Sequence, residues 1–460
     1  MIVIGLGVSA CNPLGNSINI PTSATVTASI PTLTPKISPT ITAVIQDEQL
    51  KEIPVGATIR FWHPWSGEMA NLMAEMADEF NESNEWGITI DDQFHSDEVV
   101  FIYDMNQAIE EGDPPELIAA PEYYLRSLND NEFFLQDLQK YIESQDWGLS
   151  DAEVETFLPL FWNANFLTDK RFGVPAYQSG SFIFFNQSWA KELGFLGLPL
   201  TLDDFKDHTC EAGSAYLNDT DLNNNGTGGW VYTYNPNSFF SWLKAFNGGY
   251  ESDVDSTNNL GNIGNIESGT YLYDLFMDNC AWIGRQLQPY DYFAKRQAIA
   301  YSGRSEDIMI QQRVNELNKS SDQWSVLPYP SKIETPVLLV DGVSYAITTQ
   351  DSEKSLAAWV YVRWLLEPEN QVRIIEASGT FPLSLTAIDL LNDYKIEHPV
   401  WAESLNYLAI AQKVPDDPDW GLAKEVLADL SWKLIQYNTT REDISVIFQD
   451  AQNLFTEITR

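Results

Sequence analysis

The chain has 460 residues, 44% hydrophobic and 20% charged, a globular composition too long for one core and suited to two bodies of ordinary domain size. Its 26 Lys+Arg stand against 66 Asp+Glu, a formal net charge of −40. So acidic a surface repels nucleic acid and anionic bilayers and argues against both as partners; read blandly, the acid is a solubility device.

Met1-Ile-Val-Ile-Gly-Leu-Gly-Val-Ser-Ala-Cys11 is a short apolar run ending in Val-Ser-Ala-Cys. It resembles the lipobox of bacterial lipoproteins, in which cleavage before the Cys leaves that residue first and lipidated. The resemblance implies a signal peptide over 1–11 and a lipid anchor at Cys11. The run lacks a basic n-region and is shorter than a usual signal peptide, so a leader truncated at its start is expected; the bland alternative is a chance Cys after an apolar start. The following segment, 12–53, is rich in Thr, Pro, Ser and Ile, with Pro21, Pro31, Pro35 and Pro39, and up to Ile45 Lys36 is its only charge. Such a stretch buries no core and stays extended, a tether between membrane surface and folded body. No stretch approaches the ~20 apolar residues a transmembrane helix requires. Beyond Cys11 only Cys210 and Cys280 remain. An even pair in an exported chain predicts a disulfide, and neither has the CxxC or CxxH neighbours of a zinc site.

The body opens with a β-rich run, Ala57 to Trp62, then places Met69, Leu72, Met73, Met76 and Phe80 at helical spacing behind Ser66 as N-cap. Gly87–Ile90 reads as a second strand, Asp104–Glu111 as a helix stopped by Gly112-Asp-Pro-Pro115, and Glu116–Ala120 as a third strand. The alternation predicts an α/β fold with a parallel sheet covered on both faces. Ligands of such sheets bind beyond the carboxyl ends of the strands, here the loops at 63–67, 94–96 and 121–124, which concentrate aromatic and polar residues.

Arg171 to Trp189 is read as the crossing from one lobe to another. Pro175 fixes φ, Ser179-Gly180-Ser181 is small and pliable, and Phe182-Ile-Phe-Phe185 suits a strand buried on both faces. Val340 to Ile347, with Gly342 ahead of an apolar run, repeats that chemistry. Two crossings are what a hinge needs. Further on, Asn186–Leu193 reads as helix, Thr201 as the cap of another, and Ser352–Leu366 as a third. A last helix over 440–458 carries an apolar face of Ile444, Ile447, Phe448, Ala451, Phe455 and Ile458, with Thr439-x-x-Glu442 as its capping box.

Asp219, Asp221, Asn223 and Asn225, followed by Gly226, match the start of an EF-hand ligand series. The twelfth position is Tyr232 rather than a bidentate Glu, so the loop reads either as a calcium site completed by a distant carboxylate or as a metal-free Asn/Gly surface loop. No other cofactor is expected. With 4 His and no HExxH, GxSxG or GxxxxGK, no motif assigns a catalytic acid, base or nucleophile.

Phe61-Trp-His-Pro-Trp-Ser-Gly67, Glu79-Phe-Asn81, Gly112-Asp-Pro-Pro-Glu116, Gly173-Val-Pro175 with Phe185-Asn186, Trp324 to Pro330, the Gly342 segment, Ala357-Ala-Trp359 with Trp364-Leu-Leu366, and Gly379-Thr-Phe-Pro382 follow one another in an order that resembles the extracellular solute-binding proteins of ABC importers, in the sugar-binding group that includes maltose-binding protein. The resemblance covers roughly 57 to 460. It implies a two-lobed α/β periplasmic-binding-protein type II fold with an interlobe cleft and hinge crossings, lobe one holding 54–178 and 342–387, lobe two 179–341 and 388–460. It further implies a monomer, not an enzyme, held outside the cytoplasm by its lipid alone, that closes on a mono- or oligosaccharide and hands it to the transmembrane subunits of an ABC permease.

Sugar rings present apolar faces and a girdle of hydroxyls, which aromatic plates and planar polar groups recognise. On position or resemblance the expected ligand contacts are Trp62, Trp65, Tyr177, Ser179, Gly342, Trp230, Trp242 and Trp420, with Glu122 as a hydroxyl acceptor unless it is simply a solvated loop carboxylate. Two alternatives stand beside the sugar receptor: the same fold binding a glycerol phosphodiester or another anion through Arg126, Arg171 or Arg304, and a secreted carbohydrate-active enzyme.

Overall fold

The first strand, β1 (Thr58–His63), alternates as a strand with one deeply buried face must: Ile59, Phe61 and His63 enter the core while Arg60 and Trp62 take the other side. It belongs to a computed structural model that describes residues 55–130, 135–167, 170–250, 259–286, 288–333 and 335–459; the expected leader, Cys11 and the tether over 12–53 lie outside the described residues. Helix α1 (Gly67–Ser83) lays Met69, Met73, Met76 and Phe80 against the sheet. Ser66 holds the N-cap position with extended backbone, but its side chain makes no capping bond. β2 (Thr89–Phe94) pairs parallel with β1. α2 (Glu98–Glu111) begins earlier than periodicity predicts, because Asp97 caps it by accepting from the Val100 N–H, and the outward-facing Val99 and Tyr103 hide the pattern. It ends at Gly112, whose φ of 76° is the left-handed C-cap conformation. β3 (Leu117–Pro121), buried throughout, pairs parallel with β1 and leads into α3 (Glu122–Asp130).

The expected strand at Phe182 is the second half of a thirteen-residue strand, β4 (Val174–Asn186). After it come α4 (Leu202–Leu217), started by a Thr201–Asp204 capping box, β5 (Gly228–Tyr232), α5 (Pro236–Ala245), α6 (Ile263–Met277), β6 (Ala281–Ile283), β7 (Ala298–Arg304), α7 (Asp307–Leu317) and β8 (Trp324–Leu327). β9 (Leu338–Ile347) returns to the first strands, and α8 (Ser352–Leu365), α9 (Pro368–Ser378), β10 (Ala411–Lys413), α10 (Trp420–Leu434) and α11 (Ile444–Ile458) complete the body. The capping box before α11 joins Thr440 to Asp443, one residue beyond the expected Thr439–Glu442 pair, and Ile458 at the helix end is exposed rather than on the buried face.

Ten strands form one sheet in the order β2-β1-β3-β9-β4-β7-β5-β6, with β8 also on β4 and β10 on β9. It is mixed, not parallel throughout. The wings are parallel, β2-β1-β3 at one end and β7-β5-β6 at the other, while β9 runs antiparallel to β3 and β4, and β4 antiparallel to β7. The reason lies in the two crossing strands. β4 pairs with β9 up to Gly180 and with β7 from Ser181 onward. β9 pairs with β10 at Leu338–Val340 and with β3 at Val343–Ile347. One strand leaves the first wing and the other comes back, so they meet head to tail. β4 is buried on both faces, Phe182 and Phe184 entering one hydrophobic cluster, Ile183 and Phe185 the other. In the second wing Cys210 of α4 is joined to Cys280 by a disulfide.

Candidate binding cleft

A cavity of about 670 Å³ lies against the crossings, where Tyr177 of β4 and Gly342 of β9 face it side by side. Only glycine fits at 342, since a Cβ there would land on the Tyr177 carbonyl and the Gln178 amide. Wall residues come from both wings. The first supplies Glu98 at the start of α2, Glu122 and Tyr123 at the start of α3, and Asn165; the second supplies Asn237 at the start of α5, Arg304 and Glu306 between β7 and α7, Lys413 of β10, and Trp420 and Lys424 of α10. Glu122 and Tyr123, Asn237, and Arg304 with Glu306 sit at the carboxyl ends of β3, β5 and β7, the region where α/β sheets collect ligands.

The walls are tied together by charge. Lys424 Nζ lies 2.6 Å from Glu98 Oε1 and 4.3 Å over the Tyr123 ring, and the Tyr123 hydroxyl donates to the same carboxylate at 2.5 Å. Lys413 Nζ is 2.5 Å from Glu122 Oε2 and donates to Gln178, whose amide in turn donates to Glu122. Arg126 lies 3.4 Å from Asp416. At the floor, Arg304 donates to Asp341 at 2.7 Å, with Glu306 3.6 Å from its Nε. Burial opposes the Arg304 charge, yet Asp341 and Glu306 outweigh it and hold the guanidinium protonated. Asp341 is depressed, the Arg304 charge and hydrogen bond overcoming burial. Glu306 goes the other way, pushed up by burial in spite of Arg304 and a hydrogen bond from the Ser179 hydroxyl.

A second cavity, about 810 Å³, lies across Tyr177 and Glu306, which line both. Trp65, Met69, Met309 and Ile310 make it more apolar, and the Trp65 and Tyr177 rings stand 5.7 Å apart.

Of the residues expected to touch ligand, Tyr177, Gly342, Glu122 and Trp420 line the first cavity and Trp65 the second. Ser179 is buried and reaches the site through Glu306. Glu122 is no solvated loop carboxylate; its side chain is 13% exposed and paired. Trp62 faces away, packed on His95 at 4.7 Å, because β1 sends alternate residues to opposite faces. Trp230 and Trp242 are core residues, each 1% exposed and 5.5 Å apart edge to face. The strand β5 is buried on both sides, so its tryptophan has no route to a cavity. Among the three arginines considered for an anion, Arg304 lines the first cavity, and neither Arg126 nor Arg171 is among the residues lining it or the second; Arg171 sits 4.7 Å from Trp162 and 4.8 Å from Phe166, with burial pushing it down to about 10.

The residues that sequence reasoning missed are Glu98, Tyr123, Asn165, Asn237, Glu306, Asp341, Lys413 and Lys424. Asp341 had a signal, being beside Gly342 in a crossing, and Glu306 another, following an apolar strand. In the Asp219 loop, Asp219 accepts from the Asp221 N–H and the Asn224 amide, and Asp221 from the N–H and amide of Asn223. With Asn223 and Asn225 exposed, those bonds are the pattern of an Asx-turn surface loop. Among the described residues no three His, Cys, Asp or Glu are grouped to hold a metal ion, and no helix is long and apolar enough to cross a membrane.

The sequence profile of a family described as bacterial extracellular solute-binding protein matches residues 75–400. No curated protein matches. Among solved structures the chain is similar to the cyclic alpha-maltosyl-1,6-maltose binding protein of Arthrobacter globiformis, at 16% identity and a TM-score of 0.70 over 87% of this chain and 99% of that one. It is similar to the Thermus thermophilus maltotriose binding protein bound with maltotriose, at 15% identity and a TM-score of 0.64 over 87% and 100%. It is likewise similar to UgpB of Mycobacterium tuberculosis in complex with glycerophosphocholine, at 14% identity and a TM-score of 0.70 over 88% and 98%. At these identities the likeness is one of fold, the two-lobed periplasmic-binding-protein type II architecture.

Proposed function

We propose that this chain, which belongs to the family of bacterial extracellular solute-binding proteins, captures a sugar in the cleft between its lobes and delivers it unaltered to an ABC permease. Membership makes the protein an extracytoplasmic binder of solute, and in our reading it does no chemistry on that solute. In our reading the body is a monomer tethered by a lipid on Cys11, with lobe one over 54–178 and 342–387 and lobe two over 179–341 and 388–460. What supports those bounds is the exchange of strand partners at Gly180–Ser181 and between Val340 and Val343.

The observation that carries the reading is a cavity of about 670 Å³ set on both crossings, walled by Tyr123 and Tyr177 and bordered by Trp420, itself only 1% exposed, together with amides and carboxylates from the two wings. Aromatic faces suit the apolar side of a pyranose and the carboxylates and amides suit its hydroxyls. Contacts made by both walls favour the shut form, and that differential affinity shifts the population toward it. An anion is the poorer guest, because Arg304, Lys413 and Lys424 each already meet a carboxylate. The test is a thermal-shift panel of neutral and amino mono- and oligosaccharides and a glycerol phosphodiester, since a ligand of the native state alone raises the midpoint by RT ln(1 + [L]/Kd). A saccharide is expected to raise it, with chromatography finding no new product. A shift from the phosphodiester and from no saccharide would overturn the sugar, and turnover would overturn the receptor.

A further inference from the structure

The charges around the first cavity do not balance. Glu98 has Lys424, Glu122 has Lys413, and Asp416 has Arg126. Arg304 alone faces two acids, Asp341 and Glu306. Both Asp341 oxygens are engaged, one by Arg304 and the other by the Asn237 amide at 2.8 Å. Glu306 is the carboxylate left over, and it opens on both cavities.

A second observation points the same way. The side-chain carbonyls of Asn165 and Asn237 are buried, line the cavity and find no hydrogen-bond donor among the described residues. Asn165 is 2% exposed and Asn237 8%. The orientation of Asn237 is settled chemically, because its NH2 group must be the end that meets the Asp341 carboxylate, which leaves the oxygen of this wall residue as a buried acceptor without a donor. A buried acceptor without a partner costs about 1–3 kcal/mol. The wall therefore offers one carboxyl without a cation of its own, which burial biases toward its neutral form, and at least one unmet acceptor, while its cations are all committed. A neutral sugar answers the acceptors with hydroxyls but gives the carboxyl no counter-charge; a guest with a protonated amine answers both and draws Glu306 to its charged form. Tyr177 lines the same wall.

We propose that the solute is an amino sugar, bound through a protonated amine at Glu306 and donating to the Asn237 carbonyl. This rests on the saccharide reading above. The test is calorimetric titration of the purified protein at about pH 6, below the ordinary range of amines, with three matched oligosaccharide sets: free-amine glucosamine, N-acetylglucosamine and glucose. The free-amine set is expected to bind at least tenfold more tightly than the other two, about 1.4 kcal/mol. Glu306→Gln is expected to erase that preference, so that the free-amine and glucose sets bind the variant within about threefold of one another. Raising NaCl on the wild-type protein supplies a readout free of any folding defect, since it should weaken the amine and spare the neutral sets. Neutral sugars binding as well as the amine, or a preference that survives Glu306→Gln, would overturn the amine while the sugar reading stands. No binding by any of the three sets would overturn both.

Discussion

The two cavities that share Tyr177 and Glu306 are held shut by different means. Around the first, Lys413–Glu122 and Lys424–Glu98 cross the cleft with side chains mostly withdrawn from water, three of the four being 20% exposed or less and Glu98 41%. Around the second, the ion pair across the opening is Glu68–Arg313, 4.0 Å long, with side chains 79% and 76% exposed. A pair in a sheltered site loses little to screening, whereas one in open water is worth ~0–1 kcal/mol. The first cavity is therefore the more firmly paired side of the cleft, and if the lobes part, the expectation is that they part first at the second.

The largest effect is expected away from both. Trp230→Ala removes a core side chain that is 1% exposed, at a cost of about 3–5 kcal/mol. Urea titration should show the loss, while saccharide affinity of the folded fraction stays within about twofold. A large loss of affinity per folded molecule would return Trp230 to the binding wall and blur the division between core and cleft.

Lys413→Ala comes next, because it leaves Glu122 without its cation beside Gln178. The deficit should be about 1–3 kcal/mol in urea, and small-angle scattering should report a larger radius of gyration for the unliganded variant. An unchanged radius would mean that the latch does not hold the lobes.

The floor pair sharpens the same contrast through pH, with opposite signs. Asp341 is depressed, so its contribution is present above the ordinary aspartate value and is lost as pH falls through its folded value. Asp341→Asn should be destabilised at pH 7, and the deficit should shrink below about pH 4. Glu306 is raised by burial, so its contribution is complete below the ordinary glutamate value and lost as pH rises through the folded one. Glu306→Gln should match the wild type in acid and be at least as stable at pH 8. Denaturant midpoints across that range test both; parallel profiles for the two variants would refute the assignment.

The hinge was legible in the sequence and the latch was not, for a physical reason. Tyr177 and Gly342 sit in segments whose local chemistry announces a crossing: Pro175 and Gly180 around one, a glycine ahead of an apolar run for the other. The first parallel wing was legible too, through strand and helix periods; the second, whose strands β5, β6 and β7 were not read, was not, and neither was the antiparallel centre, since strand direction depends on where β4 and β9 go rather than on what they contain. Glu98 and Lys424 are 326 positions apart, and no local pattern says which of 66 acids a given lysine will meet. Tryptophan misled for a related reason. Trp230 and Trp65 are equally apolar in sequence, and only the burial of both faces of β5 sends one to the core while a loop leaves the other on a cavity wall.

The smallest effect should come from Arg313→Ala. Both partners of the Glu68–Arg313 pair are more than three quarters exposed, so the substitution should move the urea midpoint by no more than about 0.5 kcal/mol and leave the radius of gyration unchanged. Its use lies in the comparison with Lys413→Ala, because both remove one positive charge from the rim of the same cleft. If net charge governed opening, the two variants would expand alike; if the sheltered latch governs it, Lys413→Ala expands and Arg313→Ala does not. Equal expansion would replace the latch with a general repulsion between two acidic lobes, which added salt should then suppress in both variants to the same degree.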